Sequence, residues 1–340
     1  MTAAAIRHFR RKLLAWYRRS HRDLPWRRRR DPYAIWISEV MLQQTQVETA
    51  LPYYERFIRE IPTIEALARA PENQVLTLWA GLGYYRRARN LMAAAREIVS
   101  RHHGGMPSDY DALMDLPGIG QYMAGAILSI AFNKPYPVVD GNVRRVLSRL
   151  YGWSDENAKR LWDAAERLVK DAEPRLVNQA LMELGAKVCS FRAPRCLNCP
   201  VQGLCVAFKT GMQEKIPPVK KRPATVHVHL FAVVDRKGDR YFMKPVNGMW
   251  EFPTFSELPP GSFKQIGQCR HTITHHQLNV TVYKGPLESK EYSWKQVEEL
   301  PISSLTRKIW KISHGFNGSN GSKSAESVKS VAKNSSLTRG

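Results

Sequence analysis

Two carboxylic acids are the first candidates for chemistry in this sequence. Glu39 lies inside a predicted helix, 31–45, whose apolar residues cover almost its whole circumference, which indicates a buried central helix. An ionised carboxylate is costly in such a place, so Glu39 must either pair with an arginine or keep its proton through a raised pKa. A general acid working at neutral pH needs the raised pKa. The sequence alone leaves both alternatives open.

The second acid, Asp140, precedes an apolar-periodic helix and is predicted to be its N-cap, which by itself would explain the residue. It follows a glycine-rich break, Leu116-Pro-Gly-Ile-Gly120, between two helical patterns. A hairpin that opens a helix presents free N–H groups, so Gly118 and Gly120 are candidates for contacting a phosphate. A plain helix–helix turn is the alternative. One fold can place Asp140 beside a phosphate bound there.

Four cysteines, Cys189, Cys196, Cys199 and Cys205, are crowded into a loop-like segment. Four close thiolates suit a tetrahedral zinc ion or a [4Fe-4S] cluster. Their uneven spacing lacks the paired knuckles of a zinc ribbon, which favours iron–sulfur, and unligated buried thiols are the remaining alternative. Cys269 stands near a group of histidines, for which histidines on a strand face are favoured over a metal site.

Composition bounds the class of protein. The chain has 340 residues, of which 43% are hydrophobic, enough for two modest domains. Lys and Arg number 52 against 30 Asp and Glu, and the net charge of +22 favours a polyanionic partner. Nucleic acid is the first choice and an anionic membrane surface the rival. No apolar run is long enough to span a membrane, and no secretory signal precedes the first helix. We expect a cytoplasmic monomer, associated with the nucleoid if bacterial.

The elements that must position these residues are mainly helical. Periodicity predicts a helical domain over 1–208, a linker rich in proline and lysine over 209–224, a small α+β domain over 225–313 and a disordered tail over 314–340. In the α+β domain, Val226–Val234 and Tyr241–Lys244 predict a hairpin around a turn at 235–239. A further strand is predicted at Leu278–Tyr283 and a final helix at Ser303–Ile312.

Several segments together resemble the helix-hairpin-helix DNA glycosylases, and more closely the MutY-type adenine DNA glycosylases. They are Trp36–Gln46, Trp79–Tyr85, Leu116–Tyr122, Val139–Val146 and the four-cysteine loop. The resemblance implies an enzyme of base excision repair that removes adenine mispaired with 8-oxoguanine or guanine in double-stranded DNA. It also implies a two-lobed glycosylase domain with a [4Fe-4S] loop at 189–205, followed by a Nudix-like domain that senses the oxidised base.

The resemblance also implies roles for individual residues. Glu39 would protonate the adenine ring and Asp140 would stabilise the oxocarbenium ion, with Tyr122 and Asn142 orienting the carboxylates and water. Tyr122 stands where endonuclease III-like members carry a Schiff-base lysine, which predicts base removal without strand cleavage. Thymine-mismatch glycosylases can share this tyrosine but do not resemble the chain at Glu39. The four cysteines would bind the cluster. The residues expected to contact DNA are Trp26, Arg27, Gln44, Thr45, Leu82, Tyr84, Gly118, Gly120, Gln179, Thr274 and His275.

The sequence departs from the family in its C-terminal part. Ile273-Thr-His275 stands where the family has a Phe-Ser-His turn that reads the lesion. The segment after Gly248–Pro253 lacks a Glu-rich metal-binding helix, so we expect binding of the oxidised base without diphosphate hydrolysis. A non-catalytic DNA-binding protein with a redox-sensing cluster is the alternative function. The charge and the cysteines fit both functions, whereas Glu39 together with Asp140 fits only the enzyme.

Overall fold

The computed structural model of the protein describes residues 1–155, 157–219, 223–297, 300–315 and 328–329. The chain divides into two compact units. The first comprises Met1–Ala70 and Arg86–Lys221, and the second comprises Pro71–Tyr85 and Arg222–Gly340. The predicted domain boundaries at 208 and 225 stay a prediction.

Helices make up the first part of the chain. They are α1 (Ala3–Ser20), α2 (Pro25–Arg28), α3 (Pro32–Leu42), α4 (Val47–Glu60), α5 (Ile64–Arg69), α6 (Glu72–Trp79), α7 (Arg86–His102), α8 (Tyr110–Met114), α9 (Gln121–Ile130), α10 (Gly141–Tyr151), α11 (Ala158–Val169), α12 (Pro174–Lys187) and α13 (Val206–Lys209). The arginine-rich segment 24–30 contains the single-turn helix α2.

Helix α3 begins where the sequence predicts. The Asp31 carboxylate accepts hydrogen bonds from the backbone N–H of Tyr33 and Ala34, which is an N-cap, and proline occupies the first helical position. Every residue from Tyr33 to Met41 is buried, so the buried central helix is confirmed. The helix ends at Leu42, earlier than predicted, because the backbone leaves the helical conformation at Gln43.

Two cores hold the helices that carry the candidate acids. Phe9, Leu13 and Tyr17 of α1 pack with apolar residues of α10, α11 and α12. Ile35 of α3 packs with α9 and with Val138, just before α10. A Cβ at Gly125 of α9 would lie 2.4 Å from the Pro137 carbonyl oxygen, so only glycine allows this close approach. The start of α10 is therefore fixed against α9.

The second part of the chain is α+β. Its elements are β1 (Val226–Val234), β2 (Arg236–Lys237), β3 (Arg240–Val246), β4 (Met249–Glu251), β5 (Thr254–Phe255), β6 (Ser262–Ile273), β7 (His276–Lys284), β8 (Ser293–Gln296), α14 (Ser304–Ser313) and β9 (Val328–Lys329). One sheet has the order β5-β1-β7-β6-β9, and the other has the order β2-β3-β4 with β8 also on β3. This layout, with the helical part before it, confirms the predicted fold class.

The predicted hairpin between β1 and β3 is wrong. Strand β1 pairs in parallel with β7 and antiparallel with β5. The short β2 instead forms the hairpin with β3, across the two-residue turn Gly238-Asp239, where Gly238 has a φ of +61°. This turn suits such a hairpin because glycine tolerates a positive φ. The pairing of β1 is non-local, and strand periodicity carries no signal for it.

Helix α14 packs on the sheet through Ile309, which is buried with Val280 and Val282 of β7. It agrees with the helix predicted at 303–312, and Ser303 is its N-cap. Most of the predicted disordered tail, 314–340, lies outside the described residues. No helix in the described part of the chain is long and apolar enough to span a membrane.

Candidate active site

One cavity in the first unit brings the two candidate acids together. Glu39 of α3 and Asp140 at the start of α10 both line it, together with Tyr122 from the first turn of α9 and Met182 of α12. The cavity volume is about 610 Å³, which is in the range of small-molecule sites. The contacts of α9 with both α3 and α12 hold these side chains around a common space.

Glu39 is almost completely buried, with 5% of its surface exposed. Burial raises its pKa to about 7, and the nearby charge of Asp140 raises it further, whereas the hydrogen bond from Tyr122 and the charge of Arg27 act in the opposite direction. The Tyr122 hydroxyl donates this bond to Glu39 Oε2 at 2.6 Å. No arginine in the described part of the chain forms a salt bridge with Glu39. Of the two alternatives from sequence, the structure therefore favours the raised pKa.

Asp140 is the N-cap of α10, as predicted, and it also faces the cavity. Its Oδ1 accepts the Val143 backbone N–H at 2.7 Å, and its Oδ2 accepts the Asn142 side-chain N–H at 2.9 Å. Burial raises the pKa of Asp140, but these hydrogen bonds and the charge of Arg145 favour the ionised carboxylate. Arg145 in turn donates to Asn142 Oδ1 at 2.8 Å and to the Cys189 carbonyl at 2.6 Å.

The close packing of Gly185 holds Asn142 in place. A Cβ at Gly185 of α12 would lie 2.6 Å from the Asn142 Cβ and 3.0 Å from its Cα. Helix α12 can therefore approach the start of α10 only with glycine at this position. Because Asn142 donates to Asp140, this approach also sets the position of the carboxylate.

A buried ion-pair network lies on another wall of the cavity, and sequence reasoning missed it. Glu183 of α12 is fully buried and accepts hydrogen bonds from Arg22 and Arg27, with 2.8 Å between Arg27 Nη2 and Glu183 Oε2. Burial alone would raise the pKa of Glu183, but the two arginines outweigh it and lower the pKa to about 2. Both arginines line the cavity. The available signal was the position of Glu183 among the apolar residues of a predicted helix, which indicates a buried acid. Its partners, Arg22 and Arg27, lie far away in sequence, so the pattern does not identify them.

Several residues predicted to contact DNA also line this cavity: Trp26, Arg27, Gln44, Thr45 and Gln179. Trp26 is buried. Gln44 has a φ of +58° and follows the end of α3. The Gln179 side-chain oxygen accepts the Tyr17 hydroxyl at 2.9 Å. Arg87 of α7 stabilises the turn that carries Gln44. Its Nη1 donates to the carbonyls of Val40, Met41 and Gln43.

The predicted glycine hairpin lies between α8 and α9, away from the cavity lining. Gly118 has a φ of +78°, and a Cβ there would lie 2.7 Å from the Asn90 Cβ, so packing explains this glycine. Gly120 is the N-cap residue of α9, so no side-chain hydrogen bond caps the start of this helix. Nothing lies within 4 Å of a Cβ at Gly120. That open space beside the start of α9 suits an anion.

The remaining predicted DNA contacts are in the second unit. Leu82 is buried, and Tyr84 is half exposed with a φ of +50°. Thr274 and His275 form the turn between β6 and β7, where Thr274 has a φ of +55°. Ile273 beside them is 51% exposed.

The four cysteines of the predicted cluster loop line a single small cavity. None of them is in a disulfide. Burial raises the pKa of the Cys199 thiol to about 12, and the neighbouring cysteines add to this. Among the described residues, no group of histidine, cysteine or acidic side chains converges closely enough to hold a single metal ion. Four thiols around one cavity are the ligand set of a [4Fe-4S] cluster.

The chain is similar to known proteins over most of its length. Residues 37–171 match the HhH-GPD superfamily of base excision DNA repair proteins. An adenine DNA glycosylase of Rattus norvegicus is 33% identical over an alignment that covers 91% of this chain and 78% of that protein.

Two solved structures resemble the helical part. A thermostable thymine-DNA glycosylase superposes with a TM-score of 0.57 at 32% identity, covering 61% of this chain and 98% of that one. A non-covalent complex of endonuclease III with DNA superposes with a TM-score of 0.53 at 25% identity, covering 63% of this chain and 99% of that one.

These matches and the arrangement of α3, α9 and α10 around one cavity define a helix-hairpin-helix base excision DNA glycosylase. Within that class, the extent of the match to the adenine-specific relative decides the family. The chain belongs to the MutY-type adenine DNA glycosylases.

Proposed function

We propose that this protein hydrolyses the N-glycosidic bond of adenine in double-stranded DNA, where the adenine is opposite 8-oxoguanine or guanine, and that it leaves the strand intact. The observation that carries the proposal is the placement of Glu39 and Asp140 on one cavity, with a pKa of about 7 for Glu39. Enzymes that act on a base in a duplex extrude it into such a pocket. A cavity of about 610 Å³ has room for a purine.

The two acids suit different steps because their surroundings differ. Adenine leaves poorly as an anion, so a proton must be placed on the ring before or during bond cleavage. Among the described residues Glu39 accepts a hydrogen bond from Tyr122, and its pKa of about 7 leaves a large share of the carboxyl groups protonated at neutral pH. Asp140 receives two N–H donors, which favour its ionised form. We assign Glu39 as the general acid and Asp140 as the group that stabilises the positive sugar, as in two-carboxylate glycoside cleavage.

Tyr122 supports base removal without strand cleavage. A lyase reaction at this point of the hairpin would need an amine that attacks the sugar to form a Schiff base. The Tyr122 hydroxyl is instead engaged with Glu39 and carries a pKa raised by burial. It acts as a positioning group for the acid.

The turn between β6 and β7 is the proposed reader of the oxidised base. Exposed Ile273 stands in place of the aromatic residue of the family, and Thr274 beside it has a positive φ. The Thr274 hydroxyl donates to the Ile273 carbonyl at 2.7 Å and would exchange this hydrogen bond for one to the lesion. The net charge of +22 supports electrostatic binding to the phosphate backbone of DNA.

Cys189, Cys196, Cys199 and Cys205 would hold a [4Fe-4S] cluster, which when bound supplies a covalent cross-link for the loop and carries no step of base removal. Their placement around one cavity supports this assignment. Purified protein should contain iron and acid-labile sulfide. Protein that contains zinc and no iron would contradict the assignment.

An excision assay tests the enzymatic proposal. End-labelled duplexes with adenine opposite 8-oxoguanine, guanine or thymine, and a thymine–guanine duplex, are incubated with the protein and then treated with hot alkali. We expect alkali-labile sites at adenine in the first two duplexes and none at thymine. Absence of cleavage at adenine, or cleavage at thymine, would refute the proposed substrate. Nicking without alkali, with borohydride trapping, would refute the absence of lyase activity.

A matched pair of variants separates catalysis from binding. Glu39→Gln should lower excision by at least about 100-fold, the lower bound for a general acid, with unchanged duplex binding. Glu60→Gln, an exposed acid on α4, is the control and should excise normally. Equal loss of binding in Glu39→Gln would make the residue structural and would favour a non-catalytic DNA-binding protein.

A further inference from the structure

Arg149 is a buried cation beside the four-cysteine cavity. Only 2% of its surface is exposed, and it lines the same cavity as the cysteines. Its Nε donates to the Ile216 carbonyl at 2.7 Å and its Nη2 to the Phe191 carbonyl at 3.0 Å. Its Nη1 donates to the Ser190 carbonyl at 2.6 Å and approaches Cys189 Sγ at 3.4 Å. Both terminal guanidinium nitrogens thus face the loop that carries the cysteines.

The positive charge of Arg149 has no acidic partner in the described part of the chain. The ion pairs of the described residues use other arginines, such as Arg22 and Arg27 with Glu183. A buried charge without a counter-charge is strongly disfavoured. Negative charge must therefore come from the cavity itself, and cysteine thiolates bound to iron supply it.

A second polar side chain faces the same cavity. Gln213 lines it, and its side-chain Oε1 is buried with no hydrogen-bond partner among the described residues. The two ends of a carboxamide exchange places by rotation about the Cγ–Cδ bond. After that rotation the Gln213 NH₂ group occupies the place of the unpartnered oxygen and is available as a donor.

We propose that Arg149 and Gln213 are the hydrogen-bond donors to the sulfur atoms of the cluster held by the four cysteines, and that they raise its reduction potential. This inference rests on the proposed cluster. Hydrogen bonds to cluster sulfurs and nearby positive charge are known determinants of that potential. The state with one more electron carries more negative charge, so a cation and N–H donors at this distance favour it.

The test is voltammetry of the full-length, iron-loaded protein, with iron and sulfide measured first. Arg149→Gln removes the charge, Arg149→Lys keeps it, and Gln213→Leu removes the amide at similar size. Arg160→Gln removes a charge from an exposed ion pair on α11 and is the matched control. None of these residues lines the cavity that contains Glu39.

We expect Arg149→Gln to change the ratio of oxidised to reduced cluster at least tenfold at the wild-type midpoint, a negative shift of about 59 mV for one electron. Gln213→Leu should shift in the same direction by less, Arg149→Lys should shift less than Arg149→Gln, and Arg160→Gln should not shift.

An iron-loaded Arg149→Gln protein with an unchanged potential would overturn this inference while leaving the cluster intact. If that variant does not retain iron, unchanged potentials in both Arg149→Lys and Gln213→Leu would overturn it instead. Wild-type protein without iron would overturn the proposed cluster, and the inference with it.

Discussion

Replacing Tyr122 by phenylalanine removes the one hydrogen bond that the described residues donate to the Glu39 carboxyl group. The hydroxyl donates to Glu39 Oε2 at 2.6 Å and so favours the ionised carboxylate. A hydrogen bond to a charged group contributes about 1.5–3 kcal/mol. One pKa unit corresponds to about 1.4 kcal/mol, so the loss should raise the pKa of Glu39 by about one to two units from its value near 7.

The sign of this shift fixes the pH profile. A general acid works in its protonated form, so excision falls as the pH rises through the pKa of Glu39. In the wild type this alkaline limb should lie near pH 7. In Tyr122→Phe it should move to higher pH by about one to two units, so the variant should retain activity at alkaline pH where the wild type has lost it.

The assay is excision with limiting enzyme from an adenine–guanine duplex across the pH range, quenched with hot alkali, since kcat/KM reports the free enzyme. Tyr110→Phe is the matched control, because Tyr110 stacks on Tyr136 and does not line the cavity. An alkaline limb that stays in place or moves to lower pH in Tyr122→Phe would refute the reasoning. So would an equal shift in Tyr110→Phe.

Two further predictions concern the walls of the cavity. Glu183→Gln breaks a fully buried pair and should lower the free energy of unfolding at pH 7 by about 3 kcal/mol, seen as a lower urea midpoint. Glu173→Gln, an exposed acid at the N-cap position of the same helix that makes no side-chain cap, should leave that midpoint unchanged, and equal midpoints for both variants would contradict the role of the network. Gly185→Ala should push Asn142 away and lower excision by about 100-fold with duplex binding kept. Gly203→Ala, in open space, should excise normally, and normal excision by Gly185→Ala would show that Asn142 need not be fixed.

The sequence predicts the buried helix with Glu39 and the capping position of Asp140, because both signals are local. The apolar circumference of α3 marks Glu39 as buried, and the N-cap position marks Asp140. Sequence reasoning could not choose between an ion pair and a raised pKa for Glu39. That choice depends on Arg27, which binds Glu183 on a helix far along the chain.

Long-range pairing accounts for what the sequence patterns do not predict. The sequence predicts Arg27 as a DNA contact, but it carries no local signal for the buried ion pair of Arg27 with Glu183. The sequence predicts that β1 pairs with β3, the next long strand along the chain, whereas β1 pairs in parallel with β7. In both cases the residue types were identified correctly, and the partner lay beyond the reach of periodicity and turn signals.

A structure of the protein with a duplex that carries a non-cleavable 2′-fluoro adenosine opposite 8-oxoguanine tests the central claim most directly. We predict that the adenine is extruded into the cavity, with the Glu39 carboxyl within hydrogen-bond distance of a ring nitrogen and Asp140 facing the sugar C1′. An adenine that stays stacked in the duplex, or that binds away from Glu39 and Asp140, would contradict the claim.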